Sequence, residues 1–227
     1  MRLSFFFVTA ACGLALAVPA TDRRDASIVS GRAFYAELVN NTCVLAPEVP
    51  MANYVSNPPM RTDVSDNQPG VPFLVDIGIV NTATCQALSN VMVEIWSTNA
   101  AGQFSSTSLR GATMTNSNGI AEFKTIFPGF TSDSANHLSF LVRSSSSRSS
   151  PVIHQGRLFF TDPWTDMIAK SANYTQNTNS RITNDEDPNF AKANENGFNS
   201  IINIVSIGDD WADPQGIIGD ITVGVNP

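Results

Sequence analysis

A regular alternation of apolar and polar residues marks the middle of the chain as β-structure. In Val91-Met92-Val93-Glu94-Ile95-Trp96, the side chains of Val91, Val93 and Ile95 share one face at a period of two, as in a strand that packs on a core. The same kind of short apolar segment predicts further strands at 73–80, 120–127, 137–142, 153–160, 201–207 and 221–225.

Turn-forming residues separate these segments. In Asn116-Ser117-Asn118-Gly119 and Pro128-Gly129, residues that favour turns cluster between two apolar runs. Many short strands at this spacing indicate an all-β domain, and we predict an antiparallel β-sandwich. The chain has no repeat and no domain-scale linker, so we expect one domain over residues 41–227.

A few segments depart from the strand pattern. Residues 34–38 and 162–172 are predicted to form short peripheral helices. The serine-rich stretch 144–150 predicts a flexible hairpin loop. Residues 175–199 are rich in Asn, Asp and Ser, and they predict a long surface loop region in the C-terminal part of the chain.

The first residues predict export from the cell. A basic start precedes an apolar run of 13 residues at 5–17, which is typical of a signal peptide and too short to span a bilayer. Ala15-Leu16-Ala17 is a small-x-small cleavage site, so we expect a signal peptide over residues 1–17, with cleavage after residue 20 as the alternative. We therefore expect a secreted, extracellular protein.

The N-terminal segment 18–40 follows the predicted signal peptide. It contains Arg23-Arg24, which is either a dibasic processing site or a pair of solvated charges. The chain has a formal net charge of -7, without a basic patch. This acidic balance argues against nucleic acids and anionic membranes as partners.

The cysteines and two asparagines agree with export. Cys12 lies in the predicted signal peptide, which leaves Cys43 and Cys85 as an even pair in an oxidising compartment. We therefore expect one disulfide between them. Asn40 and Asn173 each begin an Asn-x-Thr triplet and are candidate glycosylation sites.

A series of motifs resembles one family over nearly the whole mature chain, from residue 43 to about residue 225. In chain order they are Cys43-Val44-Leu45-Ala46-Pro47-Glu48, Gly70-Val71-Pro72-Phe73, Val93-Glu94-Ile95-Trp96, Leu109-Arg110-Gly111, Thr125-Ile126-Phe127-Pro128-Gly129 and Gly156-Arg157-Leu158-Phe159-Phe160. Their order and separations resemble those of the secreted fungal intradiol ring-cleavage dioxygenases, relatives of catechol and protocatechuate dioxygenases. The resemblance implies a β-sandwich, in agreement with the alternating pattern.

The resemblance also implies where a metal site would fall. Members of this family hold a non-haem ferric iron with two tyrosines and two histidines, because anionic phenolates stabilise the ferric state. The two tyrosine positions correspond here to Phe104 and Thr131, and the His-x-His pair corresponds to His137 and Ser139. Three of the four expected ligands are therefore replaced, and no metal or other cofactor is expected.

The positions expected to line the substrate pocket differ from the family pattern as well. An arginine position corresponds to Ser134, and two glutamine positions correspond to Thr113 and Arg157. The Gly-Pro-Tyr-Tyr-type segment of the family is reduced to Met51-Ala52-Asn53-Tyr54, in which only Tyr54 is retained.

Other chemistries have weaker support in the sequence. His137 could bind a different metal together with His154 and Asp133, although a lone histidine on a strand is more often a hydrogen-bonded structural residue. Asp209, Asp210 and Asp213 could bind calcium, but they lack the EF-hand spacing and are better explained as a solvated acidic turn. Asp185, Glu186 and Asp187 are interpreted as solubilising loop residues. With two histidines in the chain, a Ser-His hydrolase is not supported.

The sequence thus predicts a dioxygenase-like protein without ring-cleaving activity that binds an aromatic compound, a glycan or a protein. One alternative is an active catechol-type dioxygenase with a rebuilt metal site. Another is a non-catalytic subunit that pairs with an iron-bearing paralogue. A homodimer is a further possibility.

Overall fold

The computed structural model describes residues 43–208 and 215–227. Nine strands and two α-helices account for its regular structure: β1 Pro72–Asn81, β2 Gln86–Ala87, β3 Met92–Trp96, β4 Arg110–Met114, β5 Ile120–Ile126, β6 His137–Arg143, β7 Val152–Phe159, α1 Asp162–Ile168, α2 Pro188–Ala193, β8 Asn203–Ile207 and β9 Gly216–Val225. Short 3-10 helices lie at Ala172–Tyr174, Asn184–Glu186 and Glu195–Gly197. No helix in these two ranges is long and apolar enough to cross a membrane.

The strands form two sheets that pack face to face. Sheet I has the order β2-β1-β9-β8, with β5 also paired to β1, and sheet II has the order β4-β3-β6-β7. All pairs in sheet II are antiparallel, whereas β1 and β9 run parallel in sheet I. The predicted β-sandwich is confirmed, with one sheet mixed rather than purely antiparallel.

The core lies between the two sheets because each strand directs alternate apolar side chains inward. Sheet I contributes residues such as Phe73 and Ile77, which are fully buried. Sheet II contributes Val93, Ile95 and Phe140 to the same cluster. The side chains at the intervening positions of sheet II must therefore face away from the core, towards the outer surface of the sandwich.

The sequence pattern located most strands and missed those without an apolar run. All seven predicted strands are present, and the serine-rich stretch 144–150 connects β6 to β7 as an exposed hairpin loop. Strands β2 and β4 were not predicted, since Gln86–Ala87 is very short and Arg110–Met114 contains polar residues on an edge of sheet II. The predicted helix at 162–172 is confirmed in part, as α1 and the 3-10 turn after it.

The prediction of a long surface loop at 175–199 is wrong in part. This region contains α2 and two 3-10 helices, and it buries Asn184, Asp187 and Ala193. Helix α2 begins at Pro188, and the Asp187 side chain accepts a hydrogen bond from the Asn189 backbone N–H as its N-cap. An Asp-Pro pair within a polar stretch was the available signal for this helix.

The predicted disulfide is present between Cys43 and Cys85, whose Cα atoms lie 5.4 Å apart. It ties the segment before the sandwich to the turn after β1, across a sequence separation of 42 residues. Because it closes a long loop in the unfolded chain, replacing both cysteines by alanine should lower the free energy of unfolding by about 3 kcal/mol. Urea denaturation of the double variant, compared with the wild-type protein with and without reductant, measures this loss. Equal stability of all three samples would contradict it.

Candidate functional site

Three polar or aromatic side chains form a row across the outer face of sheet II. Trp96 on β3 lies opposite Ser139 on β6, and Ser139 lies opposite Arg157 on β7. All three are buried, with relative exposures of 1%, 2% and 8%. A buried polar row on the outer face of a sheet requires a cover, which the chain supplies from its N-terminal part.

The cover is a segment that we call the strap, residues 49–54. The Pro50 carbonyl accepts a hydrogen bond from Arg157 Nη2 at 3.4 Å, and the Ala52 carbonyl accepts one from Trp96 Nε1 at 2.9 Å. The strap thus lies across the row and is held mainly by side chains of the sheet that donate to its carbonyl groups.

A buried network joins sheet II to the loop before α2. Arg157 Nη1 donates to Ser134 Oγ at 2.8 Å, and the Ser134 hydroxyl donates to Asp187 Oδ2 at 2.6 Å. The backbone N–H of Ala135 donates to the same carboxylate oxygen at 2.9 Å. Burial raises the pKa of the Asp187 carboxyl. The hydrogen bonds from Ser134 and Ala135, a further one from the Asn189 N–H, and the positive charge of Arg157 outweigh burial, so the pKa lies below its usual value.

His137 lies beside this network with one ring nitrogen in use. Its Nδ1 is 2.8 Å from the Ala135 carbonyl oxygen, which can only accept, so Nδ1 carries the proton and Nε2 has a free lone pair. Burial, together with the positive charge of Arg157, lowers the pKa of His137 to about 4. The imidazole is therefore neutral at pH 7.

Three buried polar atoms of this site have no hydrogen-bond partner among the described residues. They are Nε2 of His137, Oγ of Ser139 and Nε of Arg157. Buried polar groups are nearly always paired, so three unpaired atoms on one patch of a sheet are unusual. His137 Nε2 can accept a hydrogen bond, the Ser139 hydroxyl can donate or accept one, and the Nε of the charged Arg157 can donate one.

A second charged group lies next to the row on the same face. Arg143 Nε donates to Glu94 Oε1 at 2.6 Å, and the hydroxyl of Tyr54 donates to Glu94 Oε2 at 2.9 Å. The ring of Tyr54 packs edge-on against Trp96, with centroids 5.2 Å apart. Tyr54 thus ends the strap by anchoring it to the sheet, and the retained tyrosine of the sequence prediction does lie at the site.

The two positions predicted for tyrosine ligands offer no free donor. Phe104 pairs with Thr98 in an isolated bridge beyond β3, and its half-buried side chain is a hydrocarbon ring. The hydroxyl of Thr131 donates to Asp133 Oδ1 at 2.5 Å and so already has a partner.

Thr113 does not join the other predicted pocket positions. It pairs with Val93, whose side chain belongs to the core, so Thr113 lies on the core-facing side of edge strand β4. The sequence-based assignment of Thr113 to the substrate pocket is therefore wrong, because the register of β4 with β3 places Thr113 on the core side.

The structure also separates the two histidines. His154 pairs with Val142, five positions along β6 from His137, and its ring packs against Phe140 of the core at 5.5 Å. His154 and His137 therefore face opposite sides of sheet II and cannot share a metal, contrary to the alternative considered from the sequence. Within the described ranges, no three His, Cys, Asp or Glu side chains are grouped to hold a metal ion.

Sequence reasoning missed three charged residues of the site. Asp187 was interpreted as a solubilising loop residue, yet it is 2% exposed and accepts from Ser134. Glu94 and Arg143 were not singled out, although a glutamate within an apolar alternating strand was the available signal. These residues come from three distant parts of the chain, and nothing in the linear pattern links them.

The other predicted sites fall on the surface or beyond the described ranges. Asn173 is exposed, and its glycosylation stays a prediction. Five further predictions concern residues outside the described ranges: the signal peptide, processing at Arg23-Arg24, a helix at 34–38, glycosylation at Asn40 and an acidic turn at Asp209, Asp210 and Asp213.

Solved structures with the same β-sandwich architecture include several dioxygenases. An intradiol ring-cleavage dioxygenase from Tetranychus urticae superposes with a TM-score of 0.71 at 26% sequence identity, over 82% of this chain and 96% of that chain. The dioxygenase domain of a dioxygenase carbohydrate-binding protein fusion from Streptomyces sp. SirexAA-E superposes with a TM-score of 0.59 at 21% sequence identity, over 80% of this chain and 98% of that chain. Catechol 1,2-dioxygenase from Acinetobacter sp. ADP1 superposes with a TM-score of 0.53 at 17% sequence identity, over 79% of this chain and 62% of that chain.

These similarities define the class of protein to which the fold corresponds. The chain has the β-sandwich fold of the intradiol ring-cleavage dioxygenases, as the motif order predicted. No protein-family model matches the sequence, and no curated protein matches it significantly.

Proposed function

We propose that this chain is an exported protein of intradiol dioxygenase fold that binds a small molecule and does not cleave aromatic rings. The site on the outer face of sheet II, under the strap, is the proposed binding site. The proposal rests on one observation above all. A buried arginine, Arg157, lies close to His137, for which the family resemblance implies an iron ligand, and one imidazole nitrogen of His137 is unpaired.

The donor set does not fit ferric iron. His137 Nε2 is one neutral nitrogen ligand, and Ser139 Oγ is a neutral hydroxyl. Phe104 has no donor atom, and the Thr131 hydroxyl is bonded to Asp133. A redox metal site needs several strong ligands around an open position, and ferric iron needs anionic oxygen in particular. None of the four expected positions supplies an anionic ligand.

The positive charge of Arg157 also disfavours a metal cation at this site. The guanidinium of Arg157 is the positive charge that helps to keep His137 unprotonated. A trivalent cation bound to His137 would experience the same repulsion, at low effective dielectric and with a larger charge. Asp187 compensates Arg157 through Ser134, which leaves the network close to neutral without an added cation.

The three unpaired atoms support a binding role in place of redox chemistry. A ligand hydroxyl could donate to His137 Nε2 and accept from Arg157 Nε, and it would remove the energetic cost of leaving these groups unpaired. Since Ser139 and Arg157 lie in the row that the strap covers, we expect a ligand to reach them only when residues 49–54 move. The contact of the strap at Pro50 is long, at 3.4 Å from Arg157 Nη2, whereas Ala52 and Tyr54 are each held by a hydrogen bond of 2.9 Å.

Metal analysis of the mature protein, purified from a eukaryotic secretion host in iron-supplemented medium, tests the proposal. We expect well below 0.1 iron per chain (about a tenfold deficit is the criterion) and no oxygen uptake with catechol or hydroxyquinol. The dioxygenase from Tetranychus urticae, prepared in the same way, is the control for iron loading. One iron per chain together with substrate-dependent oxygen uptake would overturn the proposal.

Export is the second part of the proposal. The Cys43–Cys85 disulfide supports it, because such bonds persist in oxidising compartments. N-terminal sequencing of the protein from culture supernatant should place the first residue at 18 or 21, or at 25 if the dibasic pair is processed. Retention of the full-length chain inside the cell would count against export.

A further inference from the structure

The outer face of sheet I carries side chains that are buried without belonging to the core. Val80 of β1 is 4% exposed and Ile218 of β9 is 5% exposed, and neither belongs to the apolar cluster between the two sheets. Their neighbours in sequence, Ile79 and Ile217, do belong to that cluster, so Val80 and Ile218 point to the opposite face. A sheet face open to water would leave such side chains exposed, so this face has a cover.

The described helices pack elsewhere on the domain. Ile168 of α1 belongs to the core cluster, and α2 contacts β7 of sheet II. The segment before β1 follows the edges of the sandwich. There the backbone N–H of Arg61 donates to the Ala112 carbonyl of β4, and that of Val64 donates to a carbonyl of β5. These elements leave the outer face of sheet I to another part of the chain.

Three carboxylates lie side by side on this outer face, and we call Glu122, Asp76 and Asp220 the acidic row. Asp76 of β1 pairs with Glu122 of β5 on one side and with Asp220 of β9 on the other. Asp76 and Asp220 are 4% and 6% exposed. Lys124, the basic residue of the strands of sheet I, pairs with Asp63 at the edge. Carboxylates opposite one another on neighbouring strands repel, and burial adds to the cost, so the acidic row favours a cover with positive charge.

The chain enters the described region on this same face. Gly224 lies between two residues of the core cluster, so a Cβ at Gly224 would stand on the outer face, where it would collide with the Val44 carbonyl. The preceding residue, Cys43, is held at this end of sheet I by its disulfide to Cys85 in the turn after β1. The chain before Cys43 therefore starts at the outer face of sheet I.

The segment before Cys43 is long enough to reach the acidic row. Asp220 is four residues from Gly224 along β9, a distance of about 13 Å. Arg32 is 11 residues before Cys43, and such a stretch spans about 17 Å as a helix and about 36 Å when extended. Arg32 can therefore reach the row in either conformation.

The chemistry of the segment complements the face. Arg32 is the only basic residue of the stretch 25–42, so positive charge is concentrated at one position. The helix predicted at 34–38 would place Phe34 and Leu38, four residues apart, on one side. One cation and an adjacent apolar pair match a face that combines buried carboxylates with buried apolar side chains.

We propose that residues 25–42 cover the outer face of sheet I of their own chain, with the Arg32 guanidinium bonded to the acidic row. Phe34 and Leu38 pack on the apolar side chains of the same face. The folded domain then begins near residue 25 rather than residue 41, and cleavage after the dibasic pair leaves it complete. The proposal does not depend on a ligand under the strap, because the strap lies on the opposite side of the sandwich.

Zero-length crosslinking of the mature protein tests the contact directly. The variant Arg32→Lys introduces a primary amine at position 32, and a carbodiimide joins an amine to a carboxylate only where the two are in contact. We expect mass spectrometry of the peptides to find a link from position 32 to the acidic row. Arg148→Lys, in the exposed loop between β6 and β7, is the matched control and should give no such link. Mixing ¹⁴N-labelled and ¹⁵N-labelled protein shows whether the link lies within one chain.

Native-state digestion with trypsin gives a second readout. Docking shields the peptide bond after Arg32, and cleavage then requires the segment to detach. The double variant Asp76→Asn/Asp220→Asn removes the charge that holds Arg32, so we expect cleavage after Arg32 to become about tenfold faster. Asp63→Asn changes an exposed carboxylate at the edge of the same sheet and should leave the rate unchanged. Circular dichroism checks that each variant is folded.

Three results would overturn the proposal. The first is a folded Arg32→Lys protein with no link from position 32 to the acidic row. The second is cleavage after Arg32 at the same rate in the wild-type protein and in the double variant. The third is a link between two differently labelled chains, which would show that a second copy of the chain covers this face.

Discussion

Acidification from pH 7 to pH 4 should destabilise the protein by several kcal/mol, with His137 and His154 each contributing up to about 3 kcal/mol. Burial, aided by the charge of Arg157 at His137, lowers the pKa of both side chains to about 4. The unfolded chain takes up a proton on each histidine near pH 6.5, whereas the folded chain resists protonation until about pH 4. The stability is therefore complete above pH 6.5, falls through this window and levels off below it.

Urea denaturation at intervals between pH 4 and pH 8, followed by tryptophan fluorescence, measures the profile. His154→Phe removes one of the two titrating groups and should reduce the pH-dependent loss by about half. Asp187 does not obscure the result, because its lowered pKa affects stability only at more acidic pH. A free energy of unfolding that is constant between pH 7 and pH 4.5 would contradict the burial of both neutral imidazoles.

Replacement of Arg143 by methionine should lower the free energy of unfolding by about 3–5 kcal/mol, because it leaves the Glu94 carboxylate buried without a cation. The side chain of Glu94 is 1% exposed and that of Arg143 is 14% exposed, with 2.6 Å between Nε and Oε1. Methionine keeps much of the volume of the arginine stem, so the loss reflects charge more than packing.

A second substitution separates the effect of the unpaired charge from the effect of lost packing. In the double variant Arg143→Met/Glu94→Gln, the buried charge is gone and Tyr54 can still bond to the amide, so we expect at least about 2 kcal/mol of the loss to be recovered. Lys124→Met is the matched control, since its ion pair with Asp63 is exposed and should contribute under about 1 kcal/mol. Equal losses in Arg143→Met and Lys124→Met would show that Glu94 is not effectively buried.

The parts of the fold that sequence reasoning found are those with a strong local signal. Val93 and Ile95 alternate with polar or large residues, and this period of two defined β3 before any contact was known. Cys43 and Cys85 were the sole pair expected in the mature chain, so their disulfide followed from counting. Strand β4 and helix α2 lack an apolar run, and contacts with distant segments stabilise them.

The sequence located part of the candidate site and none of its interactions. It singled out Tyr54, His137, Ser139 and Arg157, but it missed Glu94, Arg143 and Asp187 and misplaced Thr113. It did not reveal that Arg157 reaches Asp187 through Ser134, since these residues are 23 and 53 positions from Ser134 in sequence. The error at Thr113 arose because a spacing cannot tell which face of an edge strand a residue occupies, and the register with Val93 decides it.

The β-sandwich and the disulfide partners followed from the linear chain alone. Both depend on residue identity and local period, which are properties of the linear chain. Three features required the folded structure: Asp187 is buried, the strap covers the Trp96-Ser139-Arg157 row, and the two histidines face opposite sides of one sheet. Burial, register and pairing across sheets arise from contacts between residues far apart in sequence, and no local pattern encodes them.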